Sequence, residues 1–315
     1  MAREIAVRTC GLTKQFDRHV AVHDVDLQIA AGEVYGLIGP NGAGKTTLMR
    51  MLATAEEPTK GEIYIHGDRL LLNQSNTTLK RRLGYLPDDF PLYDNLTVWD
   101  YLDYFARLYH IKQPRRTRRL YEVLELVQLQ SKHKSLIATL SRGMKQRLGL
   151  ARTILHEPIL LLLDEPVSGL DPIARVQFRD IIKILQEAGM TILISSHVLS
   201  DLAELCTSVG IMELGYLVES ARLQDLYSRL SRRQILLSTL GNSMQLQVEL
   251  KNNPLVKAWE VIAPNKLRLD FDGNEEDCAE LLRSLINADI ALVEFHCSQE
   301  NLETIFLKLG HQQAS

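Results

Sequence analysis

Residues Gly39 to Thr46 read GPNGAGKT, with Gly39, Gly44, Lys45 and Thr46 in the fixed places of a P-loop. No other segment narrows the possible folds so far. Such a loop has to leave a buried strand and open a helix, and both neighbours comply. Val34-Tyr35-Gly36-Leu37-Ile38 is a short apolar strand pattern, and Thr47-Leu48-Met49-Arg50-Met51-Leu52 continues as a helix. Glycine lets the backbone wrap a phosphate with its N–H groups, and the helix N-terminus adds partial positive charge. The stretch Gly39, Pro40, Asn41, Gly42, Ala43, Gly44, Lys45, Thr46 and Thr47 is therefore the candidate nucleotide cradle. Lys45 is placed to reach the β- and γ-phosphates of ATP, and the Thr46 hydroxyl to ligate Mg²⁺.

The same run constrains what lies around it. A chain of 315 residues can bury one large or two modest cores. Apolar and charged contents of 45% and 24% are those of a globular protein, and a net charge of −3 gives no general drive toward nucleic acid. No apolar run reaches bilayer length, and the N-terminal MAREIAVRTC lacks the apolar core of a signal peptide. Cys10, Cys206, Cys278 and Cys297 show no CxxC or metal spacing, so reduced thiols are expected. The chain is expected to be cytoplasmic, with any membrane role supplied by a partner.

Strand patterns dominate up to about residue 66, including Glu62-Ile63-Tyr64-Ile65-His66-Gly67. From Thr97 the text turns helical through TVWDYLDYFARLYHI, with further helices expected over Arg115–Val127 and from about Ser141. Two strands, Ile159–Leu163 and Thr191–Ser195, flank a helix at Pro172–Glu187. Strands and helices alternating around a P-loop predict an α/β fold with a parallel sheet covered on both faces. Beyond about Leu226 the pattern changes to a small α+β domain. Strands are expected at Gln234–Leu240, Val256–Ala263, Leu267–Phe271 and Ile290–Cys297, and helices at Glu275–Ala288 and Asn301–Leu309. Met244–Leu250 alternates like a strand, yet a helix there completes a βαββαβ plan of ferredoxin type; the reading here is helix.

Downstream of the P-loop, Leu140 to Asp171 reads LSRGMKQRLGLARTILHEPILLLLDEPVSGLD. Together, Gly39–Thr46, Leu140–Arg147, Leu163-Asp164-Glu165-Pro166, Ser168–Asp171 and Ser195-Ser196-His197 resemble an ABC transporter ATP-binding subunit over roughly residues 3 to 225. The LSRGM signature and the ending Asn301-Leu302-Glu303-Thr304-Ile305-Phe306 resemble the multidrug and antibiotic exporter ATPases within that family. The resemblance implies a P-loop NTPase with a RecA-like core, an antiparallel β subdomain and a helical subdomain at about 88–155. It places the ATP-binding domain at 1–225 and the small α+β domain at 226–315.

The resemblance also assigns roles. Phe16 is implied to stack on adenine, which needs only a π-face. Asp164 is implied to hold Mg²⁺ through water, Glu165 to be the general base, and His197 to contact the γ-phosphate and orient water and base. Ser141, Gly143 and Asp171 are implied to meet nucleotide held by a second protomer, so that ATP forms part of the contact in a homo- or heterodimer. A separate transmembrane permease subunit is the implied partner.

Two departures stand out. Arg142 and Met144 replace a Gly and a Gln of the usual LSGGQ, and Asp88 follows Gly84-Tyr85-Leu86-Pro87 where relatives carry Gln. A carboxylate can still ligate Mg²⁺, but it is shorter, charged and no donor. The cationic Lys112–Arg119 run, KQPRRTRR, fits either a solvated helix start or a contact with acidic headgroups or nucleic acid. Trp99, Tyr101, Tyr104, Phe105 and Tyr109 read mostly as packing, with some available to a membrane partner. A soluble ATPase acting on ribosomes or DNA is the alternative; the chain has one cassette and no long insertion between P-loop and signature, unlike such proteins. A small-molecule P-loop kinase leaves Ser141–Met144 and Ser168–Asp171 unexplained.

Overall fold

The computed structural model describes residues 4–70, 77–198, 202, 205–230, 233–241 and 244–299. The chain divides into two compact units, Met1–Leu223 and Gln224–Ser315. The expected helix at Asn301–Leu309 and the ending at Asn301–Phe306 lie outside the described residues.

Two sheets build the first unit. β1 (Ile5–Phe16), β2 (His19–Val25), β5 (Lys60–Ile65) and β6 (Asp68–Arg69) run antiparallel in the order β2-β1-β5-β6, and β3 (Gln28–Ala30) also pairs with β1. The second sheet has the order β11 (Tyr216–Arg222), β10 (Ser208–Glu213), β4 (Val34–Ile38), β9 (Thr191–Ser196), β8 (Leu160–Leu163), β7 (Leu83–Leu86). All neighbours are parallel except the β11 edge. Every residue of β4, β8 and β9 is buried, which explains why they read as continuous apolar runs rather than alternating ones. The P-loop leaves the end of β4, the acid pair leaves β8 and His197 follows β9, so three adjacent parallel strands deliver the chemistry to one edge.

Helices α1 (Lys45–Leu52), α2 (Thr77–Lys80), α3 (Val98–Leu108), α4 (Arg115–Leu126), α5 (Arg142–Ile154) and α6 (Pro172–Glu187) complete this unit; α7 (Leu223–Leu230) follows β11 and, past its first residue, belongs to the second unit. Thr97 caps α3 by accepting from the Asp100 amide at 3.1 Å, a contact worth about 1 kcal/mol. On α5, Arg152 lies over the rings of Phe90 and Phe105 at 5.4 and 5.3 Å and donates to the Tyr101 hydroxyl at 3.1 Å. Each cation–π contact contributes roughly 0.5–2 kcal/mol. Gly149 is required beneath them, because a Cβ there would stand 2.4 Å from the Phe90 ring. The loop that carries Asp88 is thereby fastened to α5.

The cationic run from Lys112 opens α4 and is answered by acids of its own unit. Arg115 pairs with Glu157, Arg116 with Asp103 at 2.8 Å, and Arg118 and Arg119 share Glu122. Of the aromatic group, Tyr101 is fully buried while Tyr104 is exposed.

In the second unit β12 (Arg233–Thr239), β13 (Val256–Ala263), β14 (Lys266–Phe271) and β15 (Leu292–Gln299) form an antiparallel sheet in the order β13-β14-β12-β15. With α8 (Met244–Lys251) and α9 (Glu275–Asn287) this is the βαββαβ arrangement of a ferredoxin-like fold. The alternating text of Met244–Leu250 does form a helix. Helical spacing takes Leu246 and Leu250 into the core and leaves Met244 and Val248 at 71% and 60% exposed, whereas a strand would have put all four on one face. Burial of the two leucines on one helical face accompanies this arrangement despite the strand-like pattern.

Candidate functional site

The P-loop backbone is shaped by two glycines. Gly44 stands before α1 at φ +99°, and a Cβ there would lie 2.3 Å from the Ala21 carbonyl oxygen. At Gly39 a Cβ would come within 2.2 Å of the Met212 carbonyl oxygen. The Lys45 side chain is buried and folds back along the loop. Its Nζ donates to the carbonyls of Gly39 at 2.7 Å and Pro40 at 3.2 Å, and lies 3.5 Å from Glu165 Oε1. Thr46 is exposed on the first turn of α1.

The acid pair is held from the neighbouring strand. Ser195, on β9, donates its hydroxyl to Asp164 Oδ1 at 2.6 Å and accepts from the Glu165 amide at 2.9 Å. Burial pushes the Asp164 carboxyl above the usual carboxylate range, while the Ser195 and Thr46 hydroxyls favour its anion. Glu165 adopts a left-handed backbone, φ +48°, uncommon for a non-glycine residue and found disproportionately at functional sites. His197 Nδ1 lies 2.8 Å from Glu165 Oε2.

Phe16, His19, Ala21, Asn41, Gly42, Ala43, Gly44, Lys45, Thr46, Thr47, Asp88 and Glu165 line one cleft of about 360 Å³. Phe16 offers its ring at 43% exposure, with Lys14 Nζ 4.7 Å from the centroid. Partial desolvation, together with Asp164, Glu165 and Asp89, raises the Asp88 carboxyl above its ordinary range, and Arg142 opposes that rise. Gly39 and Pro40 take part through their carbonyls at Lys45, and Asp164 and His197 through Ser195 and Glu165.

Asp164 Oδ2 and Glu165 Oε1 are buried without a hydrogen-bond partner among the described residues. Lys45 faces the Glu165 oxygen, so it is the Asp164 oxygen, with the Thr46 hydroxyl beside this carboxyl, that suits a hard divalent cation of the Mg²⁺ type, and the residues present fit that ion. Thr46 and Asp88 line the cleft, and the Thr46 hydroxyl reaches Asp164.

Ser141, Gly143 and Asp171 belong to a different surface. Ser141 caps α5, accepting from the Met144 amide at 3.3 Å, and Asp171 caps α6, accepting from the Ala174 amide at 2.9 Å. Gly143 lets the two helices approach, since a Cβ there would stand 2.7 Å from that of Ala174. None of the three lines the cleft. Sequence reasoning named neither His19 nor Ala21 and gave Ser195 no role of its own. Nothing in the text around His19 marks it; its place in the cleft comes from β2 lying alongside β1.

Residues 22–168 match the family described as ABC transporter. The bacitracin transport ATP-binding protein BcrA of Bacillus licheniformis is 34% identical over 96% of this chain and 96% of its own length. The chain belongs to the ABC transporter ATP-binding protein family. The linearmycin resistance ATP-binding protein LnrL of Bacillus subtilis (strain 168) is 30% identical over 95% of this chain and 96% of its own. A solved ATP-binding subunit of an ABC transporter superposes with a TM-score of 0.64 at 31% identity, covering 71% of this chain and 92% of that one. Membership makes the chain a P-loop ATPase that uses ATP with Mg²⁺, and subunits of this kind in exporters work with transmembrane permease subunits. No helix among the described residues is long and apolar enough to cross a membrane.

Proposed function

We propose that this ABC ATPase powers export of a small molecule or drug through a separate membrane-spanning subunit. The contacts that join Lys45 and His197 to Glu165 at the cleft, with Asp164 and the Glu165 amide both on Ser195, carry the catalytic part of that reading. Likeness to BcrA and LnrL over nearly the whole chain supports the cargo class.

The proposed roles follow from the contacts. Phe16 stacks on adenine, and residues Gly39 to Thr47 cradle the phosphates. Lys45, which now neighbours Glu165, turns its charge to the β- and γ-phosphates when nucleotide enters. Glu165 is thereby released to take a proton from the attacking water, while His197 holds the Glu165 carboxylate and faces the γ-phosphate. Thr46 and Asp88, and Asp164 through water, would hold Mg²⁺, which would neutralise phosphate charge. Ser141, Gly143 and Asp171 engage nucleotide on a second ATPase subunit, in a homo- or heterodimer, so hydrolysis dissolves a contact that ATP had completed. The ATP-binding domain spans 1–225 with a helical part at 88–155, residues 226–315 form a small α+β domain of their own, and the assembly sits on the cytoplasmic face of the membrane.

The test is transport. Co-expressed with a multi-span permease subunit that it co-purifies with, the wild-type chain should support drug efflux from cells, and Glu165→Gln should not. Equal efflux by both would overturn the proposal.

A further inference from the structure

Cys278 and Cys297 lie 19 residues apart in the sequence with nothing to join them, yet the fold brings their Sγ atoms to 3.4 Å. Cys278 faces the core from α9, and Cys297 packs against the same cluster from β15. Among the described residues β15 is an edge strand paired with β12 alone, with Cys297 opposite Ile235. Both sulfurs are free thiols. We propose that Cys278 and Cys297 are a modification site at which a two-electron oxidant of the hydroperoxide class closes a reversible disulfide between α9 and β15.

The two cysteines are not equivalent, and this sets the order of events. Cys297 is half-buried and open to a small oxidant, whereas Cys278 is buried. Burial and the neighbouring thiol push Cys278 up to about 12, so it waits as a thiol. The Cys297 thiolate attacks one oxygen of hydrogen peroxide; the O–O bond breaks, hydroxide leaves, and the sulfur becomes a sulfenic acid. The Cys278 sulfur then attacks that sulfur, forming the S–S bond as the S–O bond breaks. Hydroxide leaves again and takes the Cys278 proton as water. In sum, two thiols and one peroxide give one disulfide and two waters, with both sulfurs oxidised and both peroxide oxygens reduced. A sulfenic acid elsewhere would need a second thiol to diffuse to it; here the second thiol is already in van der Waals contact. The bond needs the sulfurs to close from 3.4 Å to about 2.05 Å. Dithiothreitol would reverse it by exchange.

Peptide mapping of the full chain tests this. Chain treated with hydrogen peroxide is alkylated, digested without reduction and analysed by mass spectrometry. The expected product is one peptide pair joined through Cys278 and Cys297, two hydrogen masses lighter than its thiol form, lost on dithiothreitol treatment and retained in Cys10→Ser. Cys278→Ser should instead leave Cys297 trappable by dimedone, and Cys297→Ser should protect Cys278 from oxidation. If either variant fails to fold, the wild-type map alone decides. Over-oxidised Cys297 beside a still-reduced Cys278 in folded chain, or a cross-link joining two chains, would overturn the assignment.

Discussion

Arg142 donates from Nη2 to the carbonyl oxygen of Ser168 at 3.0 Å, joining the turn that opens α5 to the loop that follows the acid pair. The guanidinium also covers Gly169, where a Cβ would lie 2.5 Å from it and where φ is +66°. The loop is tied to Glu165 as well, because the Ser168 amide donates to the Glu165 carbonyl at 3.1 Å. Arg142 thus braces the backbone just beyond Glu165. Removing a hydrogen bond from a charged donor costs about 1.5–3 kcal/mol, so Arg142→Ala should lower the steady ATPase rate about tenfold, with Lys recovering part of it. An unchanged rate in Arg142→Ala would show that the brace is dispensable.

Glu165→Gln keeps the size of the side chain and its contact with His197 but removes the proton acceptor. Loss of a general base typically costs about 10²–10⁴ in rate, and nucleotide binding, which rests on the P-loop, should persist. Turnover and equilibrium ATP binding measured on the same preparation separate the two. Steady hydrolysis by the variant would remove Glu165 from the role of base.

Asp88 carries a carboxyl raised by desolvation and by Asp164 and Glu165. Above its folded-state value the charged group opposes folding; below the ordinary carboxylate range it is protonated in both states and contributes nothing. Asp88→Asn should therefore stabilise the chain at neutral pH, and the gain should fade as pH is lowered through the carboxylate range. Urea titrations at a series of pH values read this directly, and a gain independent of pH would refute it. Asp88→Ala should impair transport more than ATP binding; equal loss of both would refute that division.

The helix at Met244–Lys251 makes a stability prediction with an internal control. Leu246→Ala empties a fully buried site and should cost about 2–5 kcal/mol, whereas Val248→Ala on the exposed face should stay within about 0.5 kcal/mol. Urea unfolding of the two variants decides it; similar losses would mean that the strand-like pattern is the truer guide to burial.

Much of this was legible from local text. Val34–Ile38, Pro172–Glu187 and Val256–Ala263 have the bounds that periodicity suggests. The reason is that each is ended by a strong local signal: the P-loop glycine, the Asp171 cap, or a turn. Positions set by distant pairing were not legible. Ser195 controls both acids only because β9 lies beside β8, and His19 reaches the cleft only because β2 folds back on β1. The approach of Cys278 to Cys297 likewise needs the packing of α9 on the sheet. Sequence spacing records none of these neighbours.

The hydroxyl of Ser195 touching both Asp164 and the Glu165 amide also restricts how the machine can move. Asp164 and Glu165 are neighbours in the chain, and the register of β8 on β9, two fully buried strands, holds both against Ser195. A conformational cycle that keeps these contacts carries β8 and β9 together. Freedom of adjustment is left to His197, exposed just past the end of β9, which can release or regain Glu165 while the acids themselves stay fixed.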